Sequence, residues 1–178
     1  MRKEIKLAGF GGQGIILMGV LLAHAAGYYE GKEVAQTQSY GPEARVGACR
    51  AEVVISDESI DYIKTLNPDI FVAMSQPAFE KYVNGINPDT TEVFIDSDLV
   101  TKVPEEIKHV HKISATKLAE EECSNKMVAN TVMMGALLKS TNIVSVETMR
   151  SALAKQLPAK IKEINFKALD LGLNYCEQ

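Results

Sequence analysis

The stretch Gly9-Phe10-Gly11-Gly12-Gln13-Gly14 sets Gly9, Gly11 and Gly14 at the spacing G-x-G-x-x-G, between a strand-like run at 3–8 and an apolar helical run at 15–26. A short strand, a glycine turn and a helix start restrict the chain to α/β arrangements in which the helix folds back onto the strand. The same order leaves backbone N–H groups and the positive end of a helix dipole where an anion can sit. Glycine is the residue type this geometry needs, because side chains would block the approach. The alternative is a turn that only packs helix on strand.

Composition narrows the class. With 178 residues, 46% of them hydrophobic and 24% charged, the chain can form one soluble domain with a substantial core. We expect a single unit over 1–178, a core sheet over 1–115 and a helical part over 116–178. A net charge of −4 leaves no basic stripe to neutralise phosphates, so nucleic acid is not expected as a partner. No apolar run reaches the ~20 residues that span a bilayer. Met1-Arg2-Lys3-Glu4 leads straight into a strand, so no signal peptide and a cytoplasmic location are expected.

Cys49, Cys123 and Cys176 are scattered, and none belongs to a C-x-x-C pair. A zinc site or a self-contained iron–sulfur cluster is therefore not expected, and reduced, buried thiols are. His109 and His111 would share one face of a strand, yet no nearby Cys, Asp or Glu is expected to complete a metal set. Surface histidines on an edge strand are the expectation.

Further strands are expected over 33–38, 45–55, 69–74, 91–95 and 109–113, and helices over 57–66, 75–83, 115–123, 125–138, 145–157 and 161–176. The run at 69–74 is apolar without alternation, as in a parallel sheet covered on both faces. The run at 45–55 alternates and returns from the strand before it. The fold expected is a three-layer Rossmann-like α/β domain, with a mostly parallel, partly mixed sheet and a helical C-terminal region. Three strands end in polar clusters, Ser75-Gln76, Asp96-Ser97-Asp98 and Ser114-Ala115-Thr116, at the edge where open α/β sheets bind ligands. Helix capping is the alternative role, for Ser114 above all.

A nicotinamide-binding fold wants an acid at the end of the second strand, about 20 residues past the glycines. Gln38-Ser39-Tyr40 stands there instead, which disfavours an NAD-dependent dehydrogenase. Arg45 and Arg50 follow as candidate anion contacts or as two surface arginines on an edge.

The pair formed by Gly9-Phe-Gly-Gly-Gln-Gly14 and Ser39-Tyr-Gly-Pro-Glu-Ala-Arg45 is far more specific than the glycine turn alone. With 69–77 and 125–135, it resembles the gamma subunit of the 2-oxoacid:ferredoxin oxidoreductases, over nearly the whole chain and closest to the 2-oxoglutarate type. The resemblance implies a noncatalytic subunit of an enzyme that oxidatively decarboxylates a 2-oxoacid with coenzyme A, giving acyl-CoA, CO2 and reduced ferredoxin. It implies thiamine diphosphate and iron–sulfur clusters on partner chains: thiamine-binding alpha and beta subunits, a ferredoxin-like delta subunit where present, and ferredoxin as acceptor. In keeping with this, the chain has no G-D-G…N-N stretch and no clustered cysteines. The resemblance further implies that Gly11, Gly12, Gln13 and Gly14 face the coenzyme A diphosphate. Arg45 is then a charge contact, and Ser75 and Gln76 lie towards the adenosine half. Relatives specific for pyruvate, branched-chain 2-oxoacids or indolepyruvate, and a stand-alone nucleotide-binding module, are the alternatives.

Overall fold

Strand β1 (Arg2–Phe10) occupies the middle of the sheet in the computed structural model, which describes residues 1–39 and 47–176. Its partners are β3 (Ala48–Ser56), antiparallel, and β4 (Ile70–Ala73), parallel. Strand β2 (Glu33–Ser39) pairs antiparallel with β3, while β5 (Glu92–Asp96) and β6 (Val110–Ile113) extend the parallel side. The sheet order is β2-β3-β1-β4-β5-β6, so β3 alone runs against the others. The mixed, mostly parallel sheet expected from the alternating run is therefore present.

Helix α1 (Ile15–His24) continues as a π-helical turn, Ala25–Tyr29, and covers one face of the sheet. Gly19 lets it come close, because a β-carbon there would stand 2.9 Å from Cβ of Ala51. Helix α2 (Gln76–Tyr82) covers the opposite face, with Phe79 against Phe71. Phe71, Phe79 and Phe94 are among the largest fully buried side chains, and burial of each contributes roughly 1.5–3 kcal/mol. On the α1 side lie α3 (Ala115–Cys123), α4 (Ala129–Thr141), α5 (Val146–Gln156) and α6 (Ala159–Asn174). Gly135 of α4 and Gly172 of α6 face each other across a contact with no room for a β-carbon on either side.

Some local expectations change. Residues 57–66 form no helix. Their backbone and side chains are claimed from elsewhere: Glu58 N–H donates to Ser56 Oγ, and the N–H groups of Leu66 and Asn67 donate to the Glu4 carboxylate at 2.9 and 3.2 Å. Asp57 pairs with Lys32 and the N-terminal amine. The run at 125–138 opens as a 3-10 turn, Lys126–Val128, because Asn125 Oδ1 accepts from Met127 N–H. Ser145 does start a helix, its Oγ accepting from Thr148 N–H at 3.1 Å. Cys49 is buried, but Cys123 is half-buried and Cys176 exposed, against the expectation of buried thiols. Among the described residues no helix is long and apolar enough to cross a membrane.

Candidate functional site

After β1 the chain passes over one sheet face through α1, and after the neighbouring parallel strand β4 it passes over the other through α2. The carboxyl ends of β1 and β4 therefore splay their connections apart, and this is the crevice in which open α/β sheets take ligands. The glycine turn lies on one side of it and Ser75 on the other.

Within the turn, Gly12 has φ +98° and Gly14 φ +74°, left-handed backbone that L side chains rarely adopt. Gly14 is also the N-cap of α1, and its carbonyl accepts from Met18 N–H at 3.0 Å to begin the helix ladder. Two N–H groups are used internally, Gly11 to Gly47 O at 3.3 Å and Gln13 to Phe10 O at 3.1 Å. Among the described residues, no acceptor is found for the N–H groups of Gly12, Gly14 or Ile15. These are the donors a helix start leaves over, and Gly12 is exposed.

Gln13 behaves differently from the glycines around it. Its Oε1 accepts from Phe10 N–H at 2.7 Å, and its Nε2 donates to Met74 O at 2.8 Å. The side-chain amide thus stitches the turn to the end of β4. Ser75 is 2% exposed, and its Oγ finds no partner among the described residues. Gln76 faces the other way, its Oε1 accepting from the N–H groups of Thr101 and Lys102 and its Nε2 donating to Lys102 O and Glu80 Oε1. The structure therefore brings Gly11–Gly14 and Ser75 together and sets the Gln76 amide against the 101–102 loop. Arg45 lies outside the described residues.

Asn130 supports the turn, a role its sequence context did not reveal. It is 3% exposed; its Nδ2 donates to Gly14 O at 3.3 Å, and its Oδ1 accepts from Thr131 N–H at 2.9 Å. Only its placement in an apolar helical run marked it as needing a partner.

The other two polar clusters bond to each other. Ser97 Oγ and Ser114 Oγ are 3.0 Å apart, and Ser114 caps no N–H with its side chain. Asp96 caps α3 instead, its Oδ2 accepting from Thr116 N–H at 3.0 Å and Thr116 Oγ1 at 2.5 Å. Asp96 is fully buried, and burial pushes its carboxyl above the ordinary carboxylate range, partly opposed by the Thr116 hydroxyl and by the N–H groups of Asp98 and Thr116. The folded chain therefore holds this proton to higher pH than the unfolded chain does. Stability from this group should fall as pH rises from the ordinary carboxylate range (about 3.9) to the elevated folded value. Asp96→Asn has no proton to lose. The stability of wild type relative to this variant, from urea denaturation across a pH series, should decline through that window and then level off; parallel curves would refute the assignment.

His109 and His111 are near the β6 edge, as expected, but Glu92 does reach His111, with Oε2 2.6 Å from Nε2. Phe94 stacks on the same ring at 4.4 Å. No group of three metal-ligating side chains occurs among the described residues.

Together the sheet order, the opposed helices and the glycine turn define a Rossmann-like α/β domain with its topological switch point at the carboxyl ends of β1 and β4. The chain belongs to the pyruvate ferredoxin/flavodoxin oxidoreductase family, which it matches over residues 4–175. It is 50% identical to the 2-oxoglutarate synthase subunit KorC of Methanocaldococcus jannaschii, over 100% of this chain and 96% of that one. The gamma subunit of a keto/oxoacid ferredoxin oxidoreductase from Geobacter sulfurreducens superposes with a TM-score of 0.87 at 38% identity, covering 97% of this chain and 94% of that one. A 2-oxoglutarate:ferredoxin oxidoreductase from Magnetococcus marinus, solved with 2-oxoglutarate, coenzyme A and succinyl-CoA bound, superposes with a TM-score of 0.85 at 27% identity. That match covers 97% of this chain but 30% of the larger one.

Proposed function

We propose that this chain is the gamma subunit of a multi-subunit 2-oxoglutarate:ferredoxin oxidoreductase of the cytoplasm, where it helps hold coenzyme A and assemble the complex. The full-length 50% identity to a 2-oxoglutarate synthase subunit carries the reading. Thiamine diphosphate and iron–sulfur clusters, on the alpha, beta and delta subunits, supply the decarboxylation and electron transfer to ferredoxin.

This chain's own part is binding. The N–H groups of Gly12, Gly14 and Ile15, with the α1 dipole behind them, suit the oxygens of a diphosphate. Among the described residues, a β-carbon at Gly12 would meet nothing within 4 Å. No acid stands at the end of β2 itself, where Gln38 and Ser39 are found. Gln13 acts as a positioning residue, holding the turn against β4 while its amide is fully engaged. Ser75 borders the adenosine half in this reading and Arg45 adds charge, whereas the Gln76 amide, engaged by the 101–102 loop, takes no direct part.

Because no described residue crowds Gly12, it is a cleaner probe than Gly14. Gly12→Asp puts a negative charge on the turn at the backbone cost of a left-handed φ of +98°, with no clash among the described residues. In the assembled enzyme it should raise KM for coenzyme A by about tenfold or more, while 2-oxoglutarate-dependent decarboxylation half-reactions stay near wild type. An unchanged coenzyme A dependence would make the turn purely structural. Turnover of a 2-oxoacid by this chain alone would overturn the subunit reading itself.

A further inference from the structure

On the sheet face covered by α2, a cleft of about 400 Å³ opens between strands β1, β3 and β2 and the irregular segment 63–66. Lys6 and Glu52 lie side by side on its floor as a registered pair of β1 and β3, 5% and 7% exposed. They make no ion pair with each other within 4 Å. The Glu52 carboxylate is already occupied: Thr65 Oγ1 donates to it at 2.7 Å, Thr37 Oγ1 at 3.2 Å, and Arg50 Nε stands 3.8 Å away. Among the described residues Lys6 is left with one long hydrogen bond, to Asn84 O at 3.5 Å, out of three that an ammonium can make.

A buried amine with so little compensation is costly unless something else meets it. Burial holds the Lys6 amine below the ordinary lysine range, with Glu52 acting in the opposite sense. The walls add Arg50 and Lys64, so among the described residues three cations line the cleft against one carboxylate. At the mouth, Ile63 and Leu66 are 50% and 59% exposed and offer apolar contact.

We propose that this cleft binds a small organic acid, its carboxylate accepting from Lys6 and Arg50 and its carbon chain lying against Ile63 and Leu66. The site lies on the sheet face opposite α1 and needs neither coenzyme A nor a partner chain. Inorganic phosphate shares the charge but lacks the carbon chain, so it separates the two contributions.

The test is calorimetric titration of the full chain, alone, with butyrate, succinate and inorganic phosphate, alongside 13C NMR of the lysine ε-carbons. Butyrate and succinate should bind more tightly than phosphate and shift the Lys6 ε-carbon resonance. Lys6→Met combined with Glu52→Gln removes both buried charges together and avoids stranding either, and it should weaken carboxylate binding by about tenfold or more. The wild-type NMR signal reports even where that variant folds poorly. Absence of heat and of any Lys6 shift overturns the proposal, as does a folded variant that binds like wild type or a preference for phosphate.

Discussion

Gly172→Ala is expected to lower the unfolding free energy of the chain by about 3 kcal/mol or more. In an unconstrained helix the same change would stabilise by up to ~1 kcal/mol, since alanine is the better helix former. Here the added β-carbon lands on the carbonyl oxygen of Val132 and stands 2.8 Å from Ala136 N and 2.9 Å from Gly135 Cα. All three are backbone atoms inside α4, so no rotamer change relieves the clash and the helices must separate. Gly135→Ala should do the same from the other side, since its β-carbon meets Leu169 O and stands 2.8 Å from Leu173 N. Separation would loosen Val132, Met133, Leu137, Ala168 and Leu169, all fully buried. At this chain length, 3 kcal/mol corresponds to a drop in Tm of roughly 6–12 °C. Urea and thermal denaturation measure it, and a loss below about 1 kcal/mol would show that the helices are less closely packed than the structure has them.

Gly14→Ala should cost about 2–4 kcal/mol, from two separable causes. Its φ of +74° is left-handed, which costs a non-glycine residue roughly 1–2 kcal/mol. Its β-carbon would also run into Asn130 Nδ2 and stand 2.9 Å from Asn130 Cγ. Displacing Asn130 breaks its bonds to Gly14 O and Thr131 N in a site where it is 3% exposed. Gly12→Ala provides the control: its φ of +98° carries the backbone cost, but no described residue lies within 4 Å of the new carbon. Gly12→Ala should therefore cost only about 1–2 kcal/mol. A double-mutant cycle of Gly14→Ala with Asn130→Ala should show the two changes costing less together than apart, because the second removes the atoms the first collides with. Strict additivity in denaturation would refute the contact. The same collision explains why Gly14 is a poor probe of anion binding and Gly12 a good one.

The glycine turn shows how far residues alone lead. Strand β1, the turn and α1 were legible because alternation, glycine spacing and an apolar helical run are local properties. The reversed strand β3 was legible too, from its alternating pattern directly after a strand and a turn. The same local reasoning read 57–66 as a helix, which its composition supports. Glu4, more than 60 residues distant in the chain, takes the N–H groups of Leu66 and Asn67, and Glu52 takes the Thr65 hydroxyl. No local pattern announces such partners.

The candidate site divides in the same way. The residue types of the cradle, and the missing acid after β2, stand in the sequence itself. Only the tertiary structure decided that Gln13 is spent on joining β1 to β4, that Gln76 points to the 101–102 loop, and that Asn130 backs the turn across 116 residues of chain. It also decided that Lys6 and Glu52 share a cleft floor, which strand register sets and a linear pattern cannot. The physical reason is common to these cases: propensity and periodicity act over a few residues, whereas hydrogen-bond partners and close helix contacts depend on which elements the fold brings side by side.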